Sequence, residues 1–270
     1  MGRPARHARR DRGAAADPRR SGPALTAAQG PGEPRGLPDG TRPSPNIWHH
    51  TDTYELENHA FDPDGLVEAA IERLGGWAGR DVLDLGCGTG FHLGRLARTS
   101  ATVTGVEPHP DLRAIAARRT RRLPEVRVLE GTAQAVPLPD ASIDVVHARW
   151  AYFFGPGSEP GLVELARVAR PGAAAYVIDN DASRSTFGGW FARGFPEHAS
   201  PEAKHEFWAG QGWQREPVLT RWAFASRADL ESVVRIELPG PVAEEALAEH
   251  LAAGGGTEVE YAVDVWWRRF

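Results

Sequence analysis

The stretch 81–90 constrains the fold more than any other part of the chain. Asp81-Val82-Leu83-Asp84-Leu85 is a short apolar run of strand type, and it ends in Gly86-Cys87-Gly88-Thr89-Gly90. A strand that runs into glycines and then into a helical pattern, here 90–98, forms a strand–turn–helix unit. The rest of the chain repeats the alternation. Strands are expected at 103–106, 126–129, 143–147 and 174–178, and helices at 110–121 and at 161–169, the latter stopped by Pro171-Gly172. Upstream, Asp62-Pro63 opens a helix with Leu66, Val67, Ala70, Ile71 and Leu74 on one face, closed by Gly75-Gly76. This β-α-β-α order calls for parallel strands joined by right-handed crossovers, an α/β doubly wound, mostly parallel, Rossmann-like sheet. Beyond residue 182 helices are expected near 184–193, 201–210, 227–236 and 242–252, with strands at 218–224 and 258–267.

The glycine turn also points to a ligand. Glycines remove side chains so that a ligand can lie against the backbone, and the start of a helix offers free N–H groups. A dinucleotide site wants G-x-G-x-x-G, but counting from Gly86 the sixth position is Phe91, and the third glycine falls one place early at Gly90. Asp84, two residues before the first glycine, can face the ammonium of an amino acid. Glu107 closes the second strand, where a carboxylate reaches the two hydroxyls of a ribose. An amino acid, a ribose and no pyrophosphate describe S-adenosylmethionine.

Charge divides the chain. Residues 1–45 hold seven Gly, eight Pro, nine Arg and four acids, a net of +5, with no aromatic residue. Such a segment cannot bury enough apolar surface to offset chain entropy, so a disordered basic tail is expected over 1–45. The whole chain carries −5, which leaves −10 on a folded body over 46–270. A body that acidic argues against a nucleic-acid substrate, although the tail leaves RNA open. The single Cys, Cys87, excludes a disulfide framework and a Cys-rich zinc site. His49-His50 lacks a third ligand at motif spacing, so no metal is expected. No apolar run reaches the roughly 18 residues of a membrane helix, and the Met1 end has no apolar signal segment. A cytoplasmic protein with no membrane partner is the expectation; composition leaves its oligomeric state open.

Four blocks, in order, make the segment from 82 to 179 resemble the class I S-adenosylmethionine-dependent methyltransferases, and within them the type 11 domain that includes the ubiquinone/menaquinone C-methyltransferases. They are VLDLGCGTG at 82–90, VTGVEP at 103–108, AVPLPDASIDVV at 135–146 and ELARVARPG at 164–172. The resemblance implies a seven-stranded sheet whose last strand, 258–267, is antiparallel and lies beside 218–224. It implies that Gly86, Cys87, Gly88 and Gly90 line the methionine and ribose part of S-adenosyl-L-methionine as co-substrate. It also implies that Asp84 orients the ammonium, Glu107 binds the ribose and Pro108 packs near adenine. The family's usual acid after Gly131 is replaced by Thr132, so adenine is expected on Thr132, Ala133 or Gln134.

The acceptor side is marked only by composition. Aromatic and His residues crowd 46–61, an N-terminal lid segment. His147, Arg149, Trp150, Tyr152, Phe153 and Phe154 follow the fourth strand. Phe187, Trp190, Phe191, Phe195, Phe207, Trp208 and Trp213 lie in a helical substrate cap over 182–215. Together they suggest an aromatic-walled pocket for a small-molecule methyl acceptor on O, N or C. Candidate bases are His49, His50, Tyr54, His147 and Tyr152, with Arg149 as an anion clamp. Two other readings stay open: a non-catalytic S-adenosylmethionine-binding regulator, and an RNA or protein methyltransferase using the basic tail.

Overall fold

The computed structural model describes residues 36–198 and 200–270. The first 35 residues of the expected tail, and with them most of the basic arm, lie outside the described residues. The strands are β1 (Asp81–Leu85), β2 (Thr102–Val106), β3 (Val126–Leu129), β4 (Ile143–Arg149), β5 (Ala169–Asn180), β6 (Gln214–Ala223) and β7 (Glu258–Arg269). The helices are α1 (Pro45–His49), α2 (Thr51–Ala60), α3 (Leu66–Arg73), α4 (Leu93–Leu96), α5 (Pro110–Thr120), α6 (Glu159–Val168), α7 (Thr186–Gly194), α8 (Pro201–Gly210), α9 (Arg227–Glu237) and α10 (Gly240–Ala252).

One seven-stranded sheet runs in the order β3-β2-β1-β4-β5-β7-β6. β1 to β5 are parallel; β7 is antiparallel to β5, and β6 to β7. Parallel strands covered on both faces read as continuous apolar runs, and period-two alternation sends successive side chains to opposite cores. Val82, Val103, Val145 and Ile178 pack with Ile71 of α3, Phe187 of α7 and Leu230 of α9. Leu83, Val106, Val146 and Val177 pack with Leu165 of α6, Trp208 of α8 and Trp266 of β7. From β1 the chain builds outward through β2 to β3, then returns to the other side of β1 as β4. The carboxyl ends of β1 and β4 flank this change of direction, where an open α/β sheet leaves a crevice.

Several local expectations are corrected. The helix expected over 90–98 is the four-residue α4, with turns on either side and i→i+3 bonds such as Arg95 N–H to His92 O. It is too short to carry a useful dipole, so the turn offers individual amides instead. α3 begins at Leu66, not at Pro63. Asp62 still caps it from a distance: its carboxylate accepts from Leu66 N at 2.9 Å and Val67 N at 3.0 Å, and Thr220 Oγ1 donates to it at 2.8 Å. β5 is longer than expected because β7 pairs with it from Ala174 to Asn180.

Residues 36–45, assigned by composition to the tail, are laid against the body. Arg42 donates to Gly157 O at 2.7 Å and Tyr152 O at 3.3 Å, with its guanidinium over the Tyr152 ring. Gln134 Nε2 donates to Gly40 O at 2.8 Å. The aromatics of 187–213 do not form one cap. Phe187 and Trp190 join the α7 face, whereas Trp208 and Trp213 pack with Trp266 on the opposite face. No described helix is long and apolar enough to cross a membrane.

Candidate active site

A cleft of about 230 Å³ opens at the carboxyl ends of β1, β2, β4 and β5. One side is built by the glycine turn. Gly86 and Gly88 have φ of +75° and +54°, a region that glycine enters without strain. A Cβ on Gly86 would stand 2.4 Å from the Ala151 Cβ, and one on Gly88 would stand 2.8 Å from Ile47 Cδ1. Both neighbours line the cleft, so a side chain at either glycine would fill it. Gly90 does not line the cleft. Its Cβ position faces Ala116 of α5 at 2.9 Å, so this glycine serves helix packing.

Glu107, just past β2, is 5% exposed. Its Oε2 accepts from Gly88 N and its Oε1 from His109 N, both at 2.9 Å. Burial pushes its pKa up to about 7, against the pull of those two amides. A carboxylate has about four acceptor sites, so two remain for a ligand. Asp84, at 3% exposure, accepts from His147 Nδ1 at 2.8 Å. That bond engages Oδ1, and Asp84 also lines the cleft. Burial and the nearby Asp84 and Glu107 carboxylates push the Cys87 thiol up. Pro108, Thr132, Ala133 and Gln134 continue this wall. Thr132 Oγ1 and Gln134 Oε1 are buried without partners. Buried polar atoms need a hydrogen bond, and these two stand where the adenine of S-adenosylmethionine is expected. The residues present therefore fit that group.

The other side of the cleft is aromatic and charged. Trp150 and Tyr152 follow β4 with φ of +46° and +59°, a conformation costly for bulky residues, and both rings line the cleft. Trp150 Nε1 and Tyr261 Oη each donate to Asn180 Oδ1 at 2.7 Å. Phe191 and Phe195 add to the wall, with Tyr54 and Glu57 of α2 and Glu237 of α9. Arg149 lies between the Phe61 and Trp150 rings, 4.7 and 5.0 Å from their centroids. Burial lowers its pKa to about 10. Burial and the Arg149 charge push His92 well below the usual value, so its neutral ring can accept from Arg149 Nη1 at 3.3 Å. The one Lys in the chain, Lys204, donates to Asp179 Oδ2 at 2.6 Å at the cleft edge. Glu55 of α2 receives Arg119 Nη2 of α5 at 2.6 Å and also bonds Thr89, which ties α2 to the glycine turn.

Of the proposed acceptor-side residues, the cleft brings together Tyr54, Arg149 and Tyr152. It leaves out His49, which ends α1, and His50. His147 is also outside it, buried behind Asp84 with its ring against Trp77 and His92. Its Nδ1 N–H is directed at Asp84 and its ring does not line the cleft, so it stands as a positioning partner of Asp84. Glu57, Glu237 and the Gly40–Arg42 approach were not singled out from sequence. Glu57 sits inside the aromatic lid segment and Glu237 is 180 positions later, with no spacing signal to connect them. Among the described residues no group of three or more His, Cys, Asp or Glu is placed to hold a metal.

Comparison with known proteins places part of the chain beside methyltransferases. Residues 83–177 match the family profile described as a methyltransferase domain. A demethylmenaquinone methyltransferase of Tropheryma whipplei is 34% identical over 113 residues, covering 41% of this chain and 46% of that protein. An uncharacterized methyltransferase of Mycobacterium tuberculosis is 34% identical over 127 residues, covering 47% and 49%. The chain thus spans about half the length of the curated relatives it matches. The fold is shared with the YcgJ protein of Bacillus subtilis, with a TM-score of 0.54 at 16% identity over 76% of this chain and 98% of that one. A candidate methyltransferase of Bacillus halodurans gives 0.53 at 15% identity over 74% and 97%. The fold is the Rossmann-like α/β sheet shared with these solved structures. Within it, residues 83–177 are the part that matches the methyltransferase-domain profile.

Proposed function

We propose that the protein is an S-adenosylmethionine-dependent methyltransferase acting on a small molecule. One observation carries the reading: a single cleft joins the glycine turn, Glu107 and the unpartnered Thr132 Oγ1 and Gln134 Oε1 on one side to an aromatic, charged wall on the other. Asp84 would hold the ammonium of the co-substrate. Glu107 would hold its ribose, Pro108 would pack near adenine, and Thr132, Ala133 and Gln134 would meet the base. When bound, the co-substrate supplies a methyl carbon already activated by a sulfonium.

The chain's own residues then align and exclude water. Trp150, Tyr152, Phe191 and Phe195 shut out solvent and present ring faces that suit a cation. Arg42 closes the entrance across Tyr152. Holding an acceptor in line can supply up to about 7–11 kcal/mol of barrier lowering. The demethylmenaquinone methyltransferases among the relatives favour a small-molecule acceptor, and the −10 of the body disfavours nucleic acid.

Calorimetric titration with S-adenosylhomocysteine tests the reading. Wild type is expected to bind and Glu107→Ala to lose about tenfold or more in affinity. No binding, or equal binding by both proteins, would overturn it.

A further inference from the structure

The acceptor end of the cleft contains a carboxyl pair that the methyltransferase reading does not use. Glu57 of α2 and Glu237, the last residue of α9, both line this end of the cleft, close enough that burial and the Glu237 charge raise the Glu57 carboxyl well above its ordinary range. Two buried carboxyls this close resist ionising together, so the pair tends to hold one proton and one negative charge. Glu57 is 4% exposed, its Oε2 is buried without a hydrogen-bond partner, and Asn46 Nδ2 donates to Glu237 Oε1 at 2.7 Å. Among the described residues neither acid forms an ion pair with Lys or Arg. The nearest cation, Arg149, is held between two rings and bonded to His92. A buried negative charge without a cation is costly, and a cationic ligand would relieve that cost. Trp150 and Tyr261, which line the same end, present faces that favour a cation.

We propose that the acceptor is an amine, and that the Glu57–Glu237 pair binds its ammonium form and takes the proton that must leave before the nitrogen can attack. This rests on the methyltransferase reading above.

The chemistry separates amines from alcohols. Burial brings the Glu237 carboxyl up to about 7 and also raises Glu57 well above its ordinary value. An alkylammonium loses its proton near pH 10, within reach of such a base, whereas a hydroxyl near 16 is not. In balance, the ammonium gives one proton to the pair, which becomes neutral. The freed nitrogen lone pair forms the new N–C bond to the methyl carbon. The C–S bond breaks with its electrons going to sulfur, which leaves the thioether. The product leaves as the methylated ammonium, and the pair returns its extra proton to water.

The test uses the full chain saturated with S-adenosylhomocysteine. The probes are 2-phenylethylamine and tryptamine, each beside its matched alcohol and its matched carboxylic acid, with affinities read by calorimetry. Each amine is expected to bind about tenfold or more tighter than its partners. In the E57Q/E237Q double variant that preference should fall below about twofold, with S-adenosylhomocysteine affinity kept within about threefold as the check on folding. Amines that bind no better than the alcohols, or not at all, overturn the proposal, as does a preference that survives in the double variant. Absence of S-adenosylhomocysteine binding by wild type would instead overturn the methyltransferase reading beneath it.

Discussion

Glu107 ties the proposed co-substrate site to stability. It is buried at a strand tip because the glycine turn folds back over it, and its carboxylate is satisfied by Gly88 N and His109 N. Its folded pKa, about 7, lies above the ordinary 4.5, so the folded protein holds this proton more tightly than the unfolded chain does. The stabilisation is complete below about pH 4.5 and is lost as pH rises through 7, to the order of 3 kcal/mol. Glu237, also near 7, acts in the same direction. Thermal unfolding of the ligand-free protein should therefore show a higher Tm at pH 6 than at pH 8, with a smaller difference in Glu107→Gln. A flat profile in wild type would contradict the burial seen here. His147 makes a second case. Its replacement by Ala leaves Asp84 Oδ1 buried without a donor, which costs about 1–3 kcal/mol in urea denaturation and weakens S-adenosylhomocysteine binding as well. Glu107 and Asp84 were legible in the sequence because they sit at fixed offsets from a glycine motif. His147 was read from the sequence as a candidate base, whereas its pairing with Asp84 follows only from the β1–β4 register, in which Asp84 lies opposite His147.

At the scale of elements, the glycine turn divides its work between two neighbours. Gly88 faces the cleft and Gly90 faces α5. Both have positive φ, so an Ala at either site is strained, but the consequences should differ. Gly90→Ala pushes against Ala116 and should cost about 1–3 kcal/mol of stability. Gly88→Ala should lower S-adenosylhomocysteine affinity by about tenfold or more, for a smaller loss in denaturant midpoint. Equal effects of the two substitutions on affinity would show that the turn does not divide in this way. The sequence pattern found every strand of the sheet, since apolar runs bounded by turn residues are a local signal. It overestimated α4, because Gly94 and the turn hydrogen bonds on each side limit that helix to four residues. It underestimated β5, whose length is set by pairing with a strand about 90 residues later.

For the whole molecule, the cleft is closed by parts far apart in the chain. Arg42 bridges from the segment before α1 to the loop after β4, and Glu55 joins α2 to Arg119 on α5. Arg42→Ala should leave the Tm within about 1–2 °C, because its bonds are exposed, yet raise the dissociation rate of S-adenosylhomocysteine severalfold in stopped flow. An unchanged rate would show that this segment does not guard the entrance. The composition of residues 36–45, rich in Pro and Gly with few large apolar side chains, gave no sign of this contact. What holds the segment is hydrogen bonding to backbone carbonyls and to Gln134, and such partners leave no trace in composition. The sequence by itself determined the α/β alternation, the place of the glycine turn and the two acids, Asp84 and Glu107, that line the cleft beside it. These depend on local periodicity and on fixed offsets from glycines. Only the tertiary structure decided that His147 stands behind Asp84, that the aromatics of 187–213 part to opposite faces of the sheet, and that Glu57 meets Glu237. Those facts depend on which strands pair and which helix faces meet, and a contact across 180 residues is set by the packing of the whole sheet.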